Sequence, residues 1–159
     1  RTVFDNVALP LLVAGIGHRE AGRRVRAALD QVGLLGKEKL APVQLSTGEQ
    51  QRVGIARAVV SKPDILIADE PTGNLDPDLS VEIMELFQSL NDDGMTIVMV
   101  THSPACANYA QRILRVTDGR LEEEHSKIMS IERWERNERK SEPMLSQDQK
   151  LAAVSLPTG

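Results

Sequence analysis

The stretch Pro63-Asp64-Ile65-Leu66-Ile67-Ala68-Asp69-Glu70-Pro71 is a short, unbroken apolar run between turn residues. Such a run is typical of a strand buried on both faces, as in a parallel sheet. Two carboxylates, Asp69 and Glu70, follow it directly. Ligands bind at the carboxyl ends of strands in open α/β sheets, so one carboxylate there can hold Mg²⁺ while the other orients and deprotonates a water molecule. Taken alone, two acids after a strand more often mark a solvated turn.

Downstream of this stretch, apolar-periodic segments alternate with turn residues. The predicted elements are, in order, a helix over 78–91, a strand over 96–100, a helix capped by Ser103 with Pro104 in its first turn, and a hairpin over 113–121 with Asp118-Gly119 at its turn. A strand–helix–strand–helix–strand order predicts an α/β fold with parallel pairing.

Upstream, the apolar spacing is helical. Helices are predicted over 2–14 and 19–32, and Gly33 lies where the second should stop. After a connecting segment over 34–45, a third helix begins near Ser46–Gly48. The first turn of a helix presents unpaired N–H groups and partial positive charge, so this third helix could bind an anion at its start.

Four short motifs carry the candidate chemistry, and each alone has a structural explanation. They are the start of the third helix at Leu45–Val53, the acids Asp69-Glu70, the turn Gly73–Pro77, and His102 after the second strand. Singly they read as a capped helix, a strand end, a turn and a structural histidine.

In this order, the four motifs resemble the nucleotide-binding domain of ATP-binding cassette (ABC) proteins. The matches are Leu45–Gln51 with the signature motif, Ile65–Glu70 with the Walker B strand, Asn74–Asp76 with the D-loop and His102 with the switch histidine. The resemblance covers residues 1 to 123 and is closest to the branch of cell-division, lipoprotein-release and macrolide-export ATPases, with Arg1–Pro10 and Val32–Leu35 most like the cell-division proteins. It implies a P-loop NTPase-type parallel-sheet core, of which only the carboxyl-terminal part is present, with the ABC helical subdomain.

The resemblance also implies a role for each matched residue, with ATP and Mg²⁺ as cofactors. Asp69 binds the Mg²⁺ of MgATP through water, Glu70 is the general base, and His102 senses the γ-phosphate. The remaining residues act in a homodimer. The signature contacts the ATP bound by the opposite subunit through Ser46, Thr47, Gly48 and Glu49. The D-loop helps to join the two sites through Asn74 and Asp76.

The sequence departs from the ABC pattern in two places. Thr47 stands where the signature usually has glycine, and a β-branched residue would be strained there if its φ were positive. No G-x-x-x-x-G-K-[ST] motif and no glutamine loop occur in the 159 residues, and a chain without this P-loop cannot hold ATP in the usual way. We therefore expect the carboxyl-terminal part of an ABC ATPase, whose activity is expected of the full-length protein and uncertain for this segment.

Composition bounds the partners and the location. The 19 basic and 23 acidic side chains give a net charge of −4, which disfavours nucleic acid as a partner. A single cysteine fits a reducing compartment, and no apolar run approaches the roughly 18 residues of a membrane span. The resemblance implies a cytoplasmic protein, peripheral on the inner face of the cell membrane, with an integral membrane permease docked near the helical subdomain.

The expected organisation is a partial ABC ATPase domain over 1–123 and a charged, flexible tail over 124–159. Within the domain, 2–41 would be the helical subdomain, and 42–123 the signature helix with the rest of the core. The predicted function is the ATP-hydrolysing subunit of a cell-division complex, which couples ATP-driven dimerisation to its membrane partner. Alternatives are a lipoprotein-release or macrolide-export ATPase, a catalytically inactive fragment, and a soluble ABC-type ATPase of DNA repair or translation, the last disfavoured by charge.

Overall fold

The structure is a computed structural model that describes residues 1–117, 120–124 and 150–156. The chain divides into two compact units, Arg1–Pro63 and Asp64–Gly159, and each is described by itself. Within the described ranges, no helix combines the length and the apolar character that crossing a membrane requires.

The first unit is helical. It contains α1 (Val3–Val13), α2 (His18–Gln31) and α3 (Thr47–Val59), with single 3-10 turns at Leu35–Lys37 and Pro42–Gln44. All three predicted helices are confirmed. Gly33 has a φ of +72° directly after α2, which confirms it as the residue that stops this helix.

Local side-chain contacts set the start of α1 and brace α2. Thr2 caps α1, since its hydroxyl accepts the N–H of Asp5 and the Asp5 carboxylate accepts the N–H of Thr2. On α2, side-chain hydrogen bonds from Arg23 and Arg24 lower the pKa of Glu20 to about 2. The core of the unit is aliphatic and includes Val3, Val7, Leu11, Val25, Leu29, Leu34, Val53 and Ala56.

The boundary between the units differs from the division expected from the sequence. That division joined the signature helix to the sheet-forming part, over 42–123. In the structure α3 contacts α1 and α2, and the first unit runs to Pro63. The physical reason is the buried face of α3, formed by Val53, Ala56 and Val59, which packs in the helical core.

In its described residues, the second unit is a five-stranded sheet with two helices. In chain order its elements are β1 (Ile65–Asp69), α4 (Pro77–Asp92), β2 (Thr96–Thr101), α5 (Pro104–Ala107), β3 (Arg112–Thr117), β4 (Arg120–Glu124) and β5 (Lys150–Ser155). The strand order is β1-β2-β5-β3-β4. β1 pairs with β2 in parallel, as predicted, and β3 pairs with β4 as a hairpin. The turn Asp118-Gly119 lies outside the described residues.

The sequence predicts a charged, flexible tail over 124–159, but the structure has a strand, β5, within it. Residues Lys150–Ser155 instead lie between β2 and β3 and pair antiparallel with both. Leu151 and Ala153 are buried, and the side chain of Gln111 exchanges two 2.8 Å hydrogen bonds with the backbone of Leu156. Because β5 opposes both neighbours, β1, β2 and β3 all run in the same direction.

The two faces of β1 differ. Leu66 is buried on the face that also carries Ile97 and Met99 of β2, whereas Ile65 and Ile67 are 56% and 73% exposed. The expectation of a strand buried on both faces was therefore wrong for one face. The parallel pair β1–β2 brings its two carboxyl ends, Asp69 and Thr101, to the same edge of the sheet.

Candidate active site

The chain turns sharply at the carboxyl end of β1. Glu70 extends the parallel ladder by one bond, from its N–H to the carbonyl of Val100 (2.8 Å), and its own carbonyl accepts the N–H of Gly73 (3.1 Å). Its φ is +46°, in the left-handed region, which costs a residue with a side chain about 1–2 kcal/mol. Strained backbone of this kind is concentrated at functional sites.

This turn directs the Glu70 carboxylate to the end of the neighbouring strand. Oε1 of Glu70 accepts the backbone N–H of His102 at 2.9 Å and lies 3.4 Å from Nε2 of the His102 ring. Oε2 accepts the hydroxyl of Thr101 at 3.3 Å. The side chains of Glu70 and His102 are 33% and 21% exposed, so a solvent-borne ligand can reach both. The arrangement offers a proton acceptor beside an imidazole.

Asp69 suits a hydrated cation. Its side chain is exposed at the end of β1, adjacent in sequence to Glu70. Mg²⁺ prefers oxygen ligands, keeps several waters and often takes only one or two protein carboxylates. The described residues contain no group of three or more His, Cys, Asp or Glu side chains that could enclose a metal ion. An exposed carboxylate such as Asp69 can hold a hydrated Mg²⁺ through its waters.

The turn that follows leads into α4. Its first part is tied to α5 by the contact between the Thr72 hydroxyl and the sulfur of Cys106 (3.2 Å), both of them buried. Asn74 and Asp76 are exposed. Asp76 caps α4, since its Oδ1 accepts the N–H of Leu79 at 3.0 Å. One side chain thus fixes the start of the helix at the place where the sequence predicts a D-loop.

The signature residues lie at the start of α3, in the first unit. Ser46 is the N-cap: its hydroxyl accepts the N–H of Glu49 (3.3 Å), and the Glu49 carboxylate accepts the N–H of Ser46 (3.0 Å). A hydrogen bond from Lys37 and the backbone N–H of Ser46 lower the pKa of Glu49. Its carboxylate therefore stays ionised beside the positive end of the helix.

Thr47 is not strained in this helix start. Among the described residues, positive φ at a non-glycine residue occurs at Lys62 and Glu70. Thr47 occupies the first position of α3 with an exposed side chain, and the buried Gly48 follows it. The strain that a positive φ would cause at Thr47 is therefore absent.

The structure brings some of the candidate residues together. Asp69, Glu70 and His102 share one edge of the sheet, and Asn74 and Asp76 follow in the same unit, whereas Ser46, Thr47, Gly48 and Glu49 belong to the first unit. Sequence reasoning gave no role to Thr101, which contacts Glu70, or to Lys37, which pairs with Glu49. The alternation of Ile97, Met99 and Thr101 would have placed the threonine on the buried face.

Comparisons with known proteins place the sequence beside related ones. The model of the family described as ABC transporter matches residues 1–73. The chain is 57% identical over 122 residues to the cell division ATP-binding protein FtsE of Escherichia coli K12, a match over 76% of this chain and 55% of that protein. It is 48% identical over 128 residues to FtsE of Streptococcus pneumoniae D39, covering 80% of this chain and 56% of that protein.

Two further comparisons extend the similarity. The uncharacterized ABC transporter ATP-binding protein YknY of Bacillus subtilis is 47% identical over 116 residues, 73% of this chain and 50% of that protein. A solved structure, the dimeric structure of MJ0796, a bacterial ABC transporter cassette, aligns with a TM-score of 0.67 and 36% identity over 82% of this chain and 58% of that one. The chain thus spans about half the length of the curated relatives that it matches. On these matches and motifs, the chain belongs to the ABC family of ATP-binding proteins.

Proposed function

We propose that the chain is part of the ATP-hydrolysing subunit of an ABC-type membrane complex of the cell-division kind. The observation that carries the proposal is the pairing of Glu70 with His102 where two parallel strands end, in a chain similar to FtsE proteins. Residues 1–159 contain no G-x-x-x-x-G-K-[ST] motif, so the proposal assigns phosphate binding to a segment outside them.

The chemistry proposed for this edge follows from the side chains present. Bound Mg²⁺ would supply charge neutralisation on the phosphates of ATP, and Asp69 would hold it through water. Glu70 would accept the proton of the attacking water, since its carboxylate is ionisable, partly exposed and held in place by hydrogen bonds at both oxygens. His102, whose ring nitrogen lies 3.4 Å from that carboxylate, would donate to a phosphate oxygen.

The active form is proposed to be a homodimer in which the signature residues Ser46–Glu49 meet the ATP of the opposite subunit. Support comes from the similarity to a cassette that was solved as a dimer. Asn74 and Asp76 would join the two sites. The dimer is proposed to lie on the cytoplasmic face of the membrane, bound to an FtsX-like permease near the helical unit.

The test requires a protein in which this chain follows its phosphate-binding segment, found by reading the coding sequence ahead of Arg1. Glu70→Gln removes the proton acceptor with little change in shape. We expect it to lower the steady-state rate of ATP hydrolysis roughly 10²–10⁴-fold, the usual contribution of a positioned base. Phosphate release at saturating MgATP measures this rate.

Glu85→Gln is the matched control, because Glu85 is an exposed carboxylate on α4 away from the strand ends. It should hydrolyse ATP at the wild-type rate. Undiminished hydrolysis by Glu70→Gln would remove Glu70 from the proposed role. A permease that copurifies with the native protein can be identified. The identity of that permease would distinguish a cell-division complex from an exporter.

A further inference from the structure

The last residue of β2, Thr101, has a fully buried polar side chain. Its exposure is 0%, and it follows Ile97 and Met99 on the inward face of the strand. A hydroxyl at such a position costs free energy unless hydrogen bonds satisfy it. Its two hydrogen bonds therefore account for a threonine at a position where the strand pattern predicts an aliphatic residue.

The geometry fixes the direction of the Thr101 hydroxyl. Its oxygen accepts the backbone N–H of Ser103 at 3.0 Å. The second bond, 3.3 Å long, is to Oε2 of Glu70. An ionised carboxylate can only accept, so Thr101 is the donor in this bond. The hydroxyl thus links the loop that follows β2 to the carboxylate that follows β1.

Glu70 depends on such contacts for its position, because a glutamate that is 33% exposed could adopt other rotamers toward solvent. Two consecutive residues hold it at different oxygens: the Thr101 hydroxyl at Oε2 and the His102 N–H at Oε1. The hydrogen bond from the His102 N–H alone would leave the Glu70 carboxylate free to rotate about that bond. The hydroxyl contact at the second oxygen removes that freedom.

We propose that Thr101 is a positioning residue for ATP hydrolysis: its buried hydroxyl fixes the plane of the Glu70 carboxylate, the proposed proton acceptor. This inference rests on the proposed function. Valine has nearly the same shape and suits a buried strand, but it removes both hydrogen bonds of the hydroxyl, the one to Glu70 and the one from the N–H of Ser103. The hydroxyl is therefore the part of the side chain under test.

The first experiment uses the 159-residue chain and measures amide hydrogen exchange at His102, whose N–H is bonded to Glu70. Thr101→Val should speed this exchange roughly tenfold, because the carboxylate is no longer held at both oxygens. Thr101→Ser should keep the wild-type rate. Thr96→Val, the same replacement at the other end of β2, is the matched control and should leave His102 unchanged.

Wild-type exchange at His102 in Thr101→Val would overturn the proposal. If that variant does not fold cooperatively, Thr101→Ala and Thr101→Ser replace it, since they differ in the hydroxyl oxygen alone. Faster exchange in the alanine variant than in the serine variant supports the proposal. Equal exchange rates in these two variants overturn it.

The second experiment measures ATP hydrolysis in the protein that includes the phosphate-binding segment. Thr101→Val should lower kcat roughly 10- to 100-fold with KM for ATP unchanged, and Thr101→Ser should restore kcat. A change in KM with kcat intact would refute the positioning role. Full hydrolysis by Glu70→Gln would refute the proposed function instead, while the exchange rates would still report whether Thr101 orders Glu70.

Discussion

Asp76 is expected to stabilise the second unit through its cap on α4, apart from any role in joining two subunits. Its Oδ1 accepts the N–H of Leu79 at 3.0 Å, one of the donors that a helix start otherwise leaves unpaired. Asp76→Ala removes this bond and also a negative charge at the positive end of the helix. Asp76→Asn keeps an acceptor at the same position and removes only the charge.

The magnitude follows from these two contributions. Loss of an N-cap costs about 1 kcal/mol, and loss of an exposed charge in the first turn costs about 0.3–1 kcal/mol. Asp76→Ala should therefore lower the free energy of unfolding by about 1–2 kcal/mol. Asp78→Ala is the matched control, because Asp78 lies in the same first turn and is not the capping residue. It should lose only the smaller, charge-dependent part.

Urea unfolding followed by circular dichroism at 222 nm measures all three variants. In a thermal scan, each kcal/mol should correspond to a shift in Tm of roughly 2–4 °C for a chain of this size. Equal losses in Asp76→Ala and Asp78→Ala would refute the capping argument. If Asp76→Asn has wild-type stability but reduced dimerisation in the longer protein, the cap and the proposed D-loop role are separate properties of one side chain.

Three further predictions use the same unfolding assay. Gly33→Ala should lower the free energy of unfolding by about 1–2 kcal/mol, because Gly33 has a φ of +72°. Gly36→Ala should leave it almost unchanged, because φ is not positive at Gly36 and there is open space for a Cβ. Leu151→Ala should lower the free energy of unfolding by about 2–5 kcal/mol if β5 belongs to the core. Leu156 is 45% exposed, so Leu156→Ala should lower it by less than about 1 kcal/mol. Equal losses in the two variants would contradict the assignment of β5 as a core strand. Glu20 has a pKa of about 2 in the folded chain, below the usual 4.5, so its contribution to stability is present above pH 4.5 and disappears as the pH falls toward 2. Glu20→Gln should therefore flatten the dependence of stability on pH in that window, and an unchanged slope would count against the ion pairs.

Elements with strong local signals were predictable from the sequence. The apolar runs of β1 and β2 and the helices on either side of β2 are predictable because nearby residues set their pattern, as Ser103 does by capping α5, where its hydroxyl accepts the N–H of Cys106. The parallel pairing of β1 and β2 likewise brings Glu70 and His102 to one edge of the sheet, whereas the contact between the two side chains was not predicted.

Other features depend on contacts that are distant in sequence. The segment that forms β5 has an apolar run of four residues, Leu151–Val154, as long as the run in β1, but two of the four are alanine, which is depleted in strands, so its local signal for a strand is weak. What stabilises it is the ladder to β2 and β3. The ion pair of Lys37 with Glu49 and the bond of Thr101 to Glu70 likewise join residues that one-dimensional periodicity does not relate.

The central position of β5 has a consequence for the order of folding. The first unit consists of helices close in sequence and can form as soon as they are synthesised. The sheet cannot, because β5 comes last among the described strands and yet joins β2 to β3, pairing Ile97 with Ser155 and Arg112 with Val154. During translation, β2 and β3 each expose an unpaired edge until residues 150–155 leave the ribosome. In that interval the nascent chain offers two templates for pairing with other chains.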